Sequence, residues 1–265
     1  PTVAWDPAAG TVDRDALQRL GPFTAVVHLA GAGIGDRRWT GGRRRELVAS
    51  RVGPTRLLAG VVAAMDPPPE VLVSASAVGF YGDRGDEELS EDSAGGTGFL
   101  ADLCRDWELA AATVADRVRV VHLRSGIVLD AGGGALARQL PLFRLGLGGR
   151  LGSGRQYTSW ITLEDEVAVV RRAVQDDRLA GPVNAVAPDP VTNAELARAL
   201  GGALHRPALL PVPRPALELA LGAGMAREMV LASQRVLPAR LAAAGHGFAH
   251  PTIDLALAAV LAHDG

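Results

Sequence analysis

Ser74 and Ser76 close an apolar run that begins at Val71, and a phenol, Tyr81, follows five residues later. A serine at a strand end can hydrogen-bond a substrate, or it can simply satisfy nearby backbone groups. Tyr81 can exchange a proton, or it can be an amphipathic residue on the rim of a pocket. Ser125 ends another apolar run, Val118 to Leu123. Glu46 and Arg51 lie slightly more than one helical turn apart, so they can share a face. They read either as a pair lining a ligand, the guanidinium fork gripping a hydroxyl or a phosphate, or as a surface ion pair. Arg37, Arg38, Arg43, Arg44 and Arg45 form a basic cluster, either a solvated helix start or a contact for an anionic substrate.

The residues that are missing narrow the chemistry further. All 27 basic side chains are arginine, so neither a phosphate-clamping lysine nor a Schiff-base lysine is available. The six histidines show no metal spacing, and the single cysteine, Cys104, forbids an internal disulfide or a cysteine-rich metal site. A net charge of -2 gives no support for a nucleic-acid or membrane-surface role. There is no 18-residue apolar run and no signal-peptide pattern at Pro1 to Gly10, so a cytoplasmic protein is expected.

These residues need elements to hold them. Thr24 to Ala30 reads as a buried strand ending in a turn at Gly31 to Gly33, and apolar spacing predicts one helix over Arg43 to Met65. Val71 to Ala75 and Val118 to Leu123 read as strands, with a helix between them over Asp102 to Val114. A glycine-rich passage follows with one helix near Leu136 to Leu145, then a helix over Leu163 to Val174 and an edge strand at Pro182 to Val186. Beyond Pro188 short helices alternate with prolines. Strands alternating with helices predict a parallel sheet, whose ligands bind at the strands' carboxyl ends. Three such ends carry small or polar residues that let a flat ligand approach the backbone: Ala30-Gly31, Ser74-Ala75-Ser76 and Arg124-Ser125-Gly126.

The runs Val27-His-Leu-Ala-Gly31, Ser74 to Gly82 and Arg124 to Leu129 resemble the extended short-chain dehydrogenase/reductase fold. Gly132 to Leu136, Gly146 to Gly154, Ser159-Trp-Ile161 with Asp165, and Gly181 to Pro188 resemble, more narrowly, the NAD(P)-dependent epimerase family, also called YfcH-like or cell-division-inhibitor-like. The tail, with Pro207, Pro211, Pro213, Pro238 and Gly245-His-Gly-Phe248, resembles that family's C-terminal domain of unknown function.

The resemblance implies an α/β protein with a Rossmann-type doubly wound parallel sheet over residues 1–187 and a small, mostly helical C-terminal lobe over residues 188–265 that contributes to a substrate cleft. It implies NADP, or NAD, as cofactor, a small or nucleotide-linked substrate, and a homodimer as the allowed assembly. Leu29, Ala30 and Gly31 would pass under the adenosine half, Arg51 would lie near the cofactor with Glu46, and Val128 would flank the nicotinamide, with Ser74 and Ser125 at the neighbouring strand ends. Ser76 would hold substrate or nicotinamide ribose, and Tyr81 would be a replacement acid/base. Trp160 and Asp165 would fix their loop onto the sheet.

Two departures from the pattern stand out. The family opens with a strand, a glycine turn and a helix that cradle the pyrophosphate, whereas Trp5-Asp6 looks like the third strand of such a domain. A β-α-β unit of roughly 35 to 45 residues is therefore expected ahead of Pro1, and a chain without it is expected to bind dinucleotide poorly. The family's usual tyrosine and lysine also have no counterpart: Phe99 or Leu100 stands at the first position and Leu103 or Cys104 at the second. The expectations are therefore an oxidoreductase or epimerase without the Tyr-Lys pair, a non-catalytic dinucleotide-binding regulator, or a scaffold with no cofactor.

Overall fold

The computed structural model describes residues 1–262; the last three residues of the expected C-terminal lobe lie outside them. Its centre is a four-stranded parallel sheet made of β1 (Ala25–His28), β2 (Val71–Ala77), β3 (Arg119–Ser125) and β4 (Gly181–Ala185), in the order β4-β3-β2-β1. The register sets Val26 beside Leu72 and Leu72 beside Val120, while Ser76 lies beside Arg124 and Ala77 beside Ser125. Every strand therefore delivers its carboxyl end to one rim.

Strand periodicity assigns the two faces. On one face, Leu72 and Val120 pack under the helices α2 (Val52–Ala63) and α3 (Phe99–Ala112), chiefly through Ala59, Val62 and Ala111, while α1 (Gly41–Ala49) precedes and packs on α2. On the other, Val71, Val73, Val121, Leu123 and Val183 meet Val169 and Ala173 of α4 (Leu163–Gln175). A third core joins Leu136, Leu140 and Phe143 of the helix Gly134–Arg144 to Leu196, Leu200, Ile253 and Leu257 of two C-terminal helices. The glycine-rich passage and the tail thus share one apolar interior.

Local chemistry corrects three expectations. Trp5–Asp6 is not a strand of the main sheet: it forms an antiparallel hairpin with Thr11–Val12, turned by the Asp6 carboxylate, which accepts from the amides of Ala8 and Ala9. The helix expected over Arg43 to Met65 is two helices. Ser50 Oγ donates to the Leu47 carbonyl at 3.0 Å and accepts from the Ala32 amide at 3.2 Å, and the chain turns at Arg51. The strand before Gly31 is an edge strand, paired among the described residues only with β2; Val27 is half-exposed and Leu29 is exposed. Among the described residues no helix is long and apolar enough to cross a membrane.

Candidate active site

Polar side chains gather at the rim formed by the carboxyl ends, most of them on the α2/α3 face. On the α2/α3 face, His28 Nε2 shares a 3.0 Å hydrogen bond with Thr55 Oγ1, which also accepts from Trp107 Nε1 at 2.9 Å. Burial holds His28 below its ordinary pKa, so the neutral ring is favoured. One strand position further on, a buried chain begins. Ser76 Oγ donates to Glu108 Oε1 at 2.7 Å, and Arg124 grips the same carboxylate with Nε and Nη2 at 2.8 and 2.9 Å. Arg124 Nη1 donates to the Tyr81 hydroxyl at 2.9 Å, and that hydroxyl donates to Asn184 Oδ1 at 2.7 Å. The Arg124 guanidinium also lies 3.5 Å from the Phe80 ring centroid.

This chain decides the two catalytic candidates differently. Ser76 is buried at the rim with its hydroxyl hydrogen committed to Glu108, so what it can offer a ligand is an oxygen lone pair. Tyr81 is corrected: it has no exposed surface, and its hydroxyl is engaged on both sides. Burial raises its pKa. It is a strut between β3 and β4, not a rim residue or an exposed acid/base.

The cofactor candidates divide in the same way. Ala30 and Gly31 line a hollow of about 430 Å³ together with Trp5, Glu46, Ser50 and Pro54. A second hollow of about 400 Å³, beside Phe23, Met65 and Pro67, opens at the opposite, amino end of the strands. Glu46 and Arg51 do not pair. Glu46 takes Arg43 at 2.6 Å and Arg37 at 3.0 Å, which lowers its pKa. Arg51 is buried; it donates to the Ala32 carbonyl at 2.9 Å and to Ser50 Oγ at 3.2 Å and lies 5.1 Å from the Trp107 ring. A Cβ on Gly31 would come 3.1 Å from the Arg51 guanidinium carbon, so glycine admits the arginine that shapes this turn.

Ser74 is buried within β2, with a long 3.5 Å contact to the Ala75 carbonyl. Val128 lies in the strand Ile127–Leu129 and packs against the α4-side core. Ser125 donates to Glu166 Oε1 at 2.6 Å, on the sheet face opposite Ser76. Glu166 is raised to about 7, by burial, against the bond from Ser125. Trp160 and Asp165 do hold their segment. The indole donates to the Asp189 carbonyl at 3.0 Å, and the carboxylate accepts from the amides of Ala249 and His250 at 2.7 and 3.0 Å.

At the usual tyrosine position the structure has an aromatic cluster instead. Phe99 opens α3 and meets Trp39 at 5.2 Å, with the Arg44 guanidinium 5.0 Å from the Phe99 ring. The Leu100 amide donates to Glu228 Oε2 at 2.9 Å, so a carboxylate from the C-terminal part caps this helix. Cys104, at one candidate lysine position, is buried. Among the described residues no three metal-ligating side chains gather.

Glu108, Asn184, Glu166 and Glu228 were not singled out in the sequence, and Arg124 was placed at a strand end without a role of its own. Two of them left a signal. Glu108 falls on the stripe of Cys104 and Ala111, and Glu166 on that of Val169 and Ala173; a carboxylate on a buried stripe needs a partner.

Residues 212–260 match the family described as a domain of unknown function, DUF1731. An epimerase family protein of Mycobacterium bovis is 46% identical over 254 residues, covering 96% of this chain and 82% of its own. The human epimerase family protein SDR39U1 is 37% identical over 265 residues, covering 98% of this chain and 90% of its own. The crystal structure of that human protein (isoform 2) with NADPH superposes with a TM-score of 0.88 at 36% identity, over 93% of this chain and 85% of that one. A nucleoside-diphosphate sugar epimerase from Corynebacterium glutamicum gives 0.78 at 38% identity, over 98% of this chain and 50% of that one.

Proposed function

The chain belongs to the epimerase family of the extended short-chain dehydrogenase/reductase fold, and from that premise we propose that it is an NADP(H)-dependent oxidoreductase or epimerase acting on a small or nucleotide-linked carbonyl substrate. One observation carries the reading: the hollow at the carboxyl end of β1, where Ala30 and Gly31 expose backbone beside Glu46 and Ser50. The human relative solved with NADPH supports NADP over NAD.

A bound dinucleotide would supply hydride chemistry. The chain's residues would shape its seat: Arg51 fixes the turn after Gly31, and Ser76 offers an oxygen at the rim. In the same proposal, residues 1–187 form the dinucleotide unit and residues from 188 onward the lobe that closes the substrate cleft.

Titrating the full-length protein, with the β-α-β unit expected ahead of Pro1, with NADPH and NADH by nicotinamide fluorescence should give saturable binding, tighter for NADPH. Absorbance at the nicotinamide band should then fall when a panel of aldehydes, ketones, quinones and nucleotide sugars is added. Absence of binding to either dinucleotide would overturn the reading. The second reading, a non-catalytic dinucleotide sensor, is favoured by the buried, doubly engaged Tyr81 and by the Trp39–Phe99–Arg44 cluster in place of an acid/base tyrosine. Tight binding with no turnover across the panel would establish it.

A further inference from the structure

We propose that Arg44 is the anchor for an anionic group of the substrate, a carboxylate or a phosphate, where α1 and α3 meet the C-terminal segment. Its role as a substrate anchor rests on the oxidoreductase reading above.

Topology fixes the place. In a parallel sheet with crossover helices, each helix begins beyond the carboxyl end of the strand before it. α1 follows β1 and α3 follows β2, so the opening turns of both helices stand at the carboxyl rim, where ligands bind. Arg44 lies in the opening turn of α1, and Phe99 opens α3. The Arg44 guanidinium is 5.0 Å from the Phe99 ring centroid and 5.7 Å from that of Trp39, and the two rings meet edge to face. The C-terminal segment closes over this corner: Glu228 accepts from the Leu100 amide, Met225 and Met229 approach Gly35, and Arg38 donates to the Leu219 carbonyl at 2.7 Å.

Arg44 is set apart by its lack of an acceptor. In the basic cluster, Arg37 and Arg43 are held by Glu46, Arg38 by a carbonyl, and Arg45 is exposed to water. Arg44 is half-buried and, among the described residues, makes no hydrogen bond or ion pair. The carboxylates nearby are engaged elsewhere: Asp36 by Arg138, Asp102 by Arg105 and Glu228 by the Leu100 amide.

A guanidinium carries five N–H donors, and partial burial without an acceptor has a cost that two aromatic faces offset only in part. The N-termini of α1 and α3 add positive potential at the same corner, which disfavours a lone cation and favours an anion. An oxyanion against the fork would take two parallel N–H bonds, a geometry that arginine offers and lysine does not. Stacking on Trp39 and Phe99 orders the fork before the ligand arrives, which lowers the cost of binding.

Gly224 keeps the seat open from the C-terminal side. A Cβ there would lie 2.5 Å from Arg44 Nη2, the next atom being the guanidinium carbon at 3.8 Å. Alanine at this position would push the flexible tip of the arginine aside and leave the backbone where it is.

The test uses the full-length protein with NADPH at saturation, so that the dinucleotide hollow is filled, and two oxyanion probes: benzoate for a carboxylate and UDP for a phosphate. Isothermal titration calorimetry should show saturable binding of at least one probe. The neutral counterparts, benzamide and uridine, should bind about 10-fold or more weakly. Arg44→Met should weaken the bound probe by about 10- to 100-fold, the worth of hydrogen bonds to a charged group, with the NADPH Kd unchanged. Arg44→Lys should recover part of the loss. Gly224→Ala should weaken the same probe with Tm unchanged, a split that a merely structural Arg44 does not produce.

Binding of benzoate alone assigns a carboxylate, and binding of UDP alone assigns a phosphate. If neither probe binds, or if Arg44→Met holds the probe as tightly as wild type, the anchor assignment fails while NADPH binding and turnover leave the oxidoreductase reading standing. If a probe binds through Arg44 but the protein neither binds nor oxidises NADPH, the oxidoreductase reading fails and the substrate role of Arg44 goes with it.

Discussion

At the scale of single residues, the most consequential pair is Arg124 and Glu108, with side chains 4% and 11% exposed. Truncating the arginine leaves a carboxylate in the interior supported only by Ser76, so Arg124→Met should cost about 3–5 kcal/mol in urea unfolding. The double variant Arg124→Met/Glu108→Gln should recover much of that loss, because the uncompensated charge goes with its partner. Cys104 makes a second residue-scale prediction. Burial pushes its thiol up to about 12, so it should resist thiol reagents at neutral pH until the protein unfolds. For the candidate residues Ser76, Ala30 and Gly31, the placement at the carboxyl rim was legible, because strand ends follow from apolar runs. Tyr81 was read as a rim residue because only the fold reveals that Arg124 and Asn184 converge on its hydroxyl from two strands of the sheet.

At the scale of elements, the four strands of the parallel sheet were legible to within a residue or two, since β-branched runs bounded by Gly and Pro leave little choice. The break between α1 and α2 was not legible, because it depends on Ser50 bonding to Ala32, a residue on a different element. The start of α3 was equally hidden. Its cap, Glu228, comes from a short π-helical turn, Ala226–Val230, far along the chain. Glu228→Ala should destabilise the protein by about 1 kcal/mol, the usual worth of a helix cap, with loss of helix at Phe99 measurable by NMR shifts. Just before that helix, Gly96 packs on the Tyr81 carbonyl so closely that a Cβ would lie 2.0 Å from its oxygen. Gly96→Ala must therefore displace backbone, and its denaturation midpoint should drop far more than that of Gly60→Ala, where nothing lies within 4 Å.

At the scale of the whole molecule, pH acts through groups buried on opposite faces of one sheet. His28 and His122 have pKa values lowered chiefly by burial, so the stability they confer is present above their ordinary 6.5 and is lost as pH falls through their folded values. Glu166 acts in the reverse sense over an overlapping range. The wild-type Tm should consequently vary little over mildly acidic pH, while Glu166→Gln should show a clear decline on acidification; equal slopes for the two proteins would contradict the balance. Class, sheet direction and the polar rim were readable from the sequence, but this compensation across the sheet was not, because periodicity gives no account of what a buried group faces. The Glu228 cap has a further consequence for dynamics. The first amides of a helix ordinarily exchange with solvent by local fraying, but the Leu100 amide proton is held by a carboxylate 128 residues away. Its exchange with deuterium should therefore follow the opening of the C-terminal segment, making one amide signal in α3 a clock for a motion that happens elsewhere in the chain.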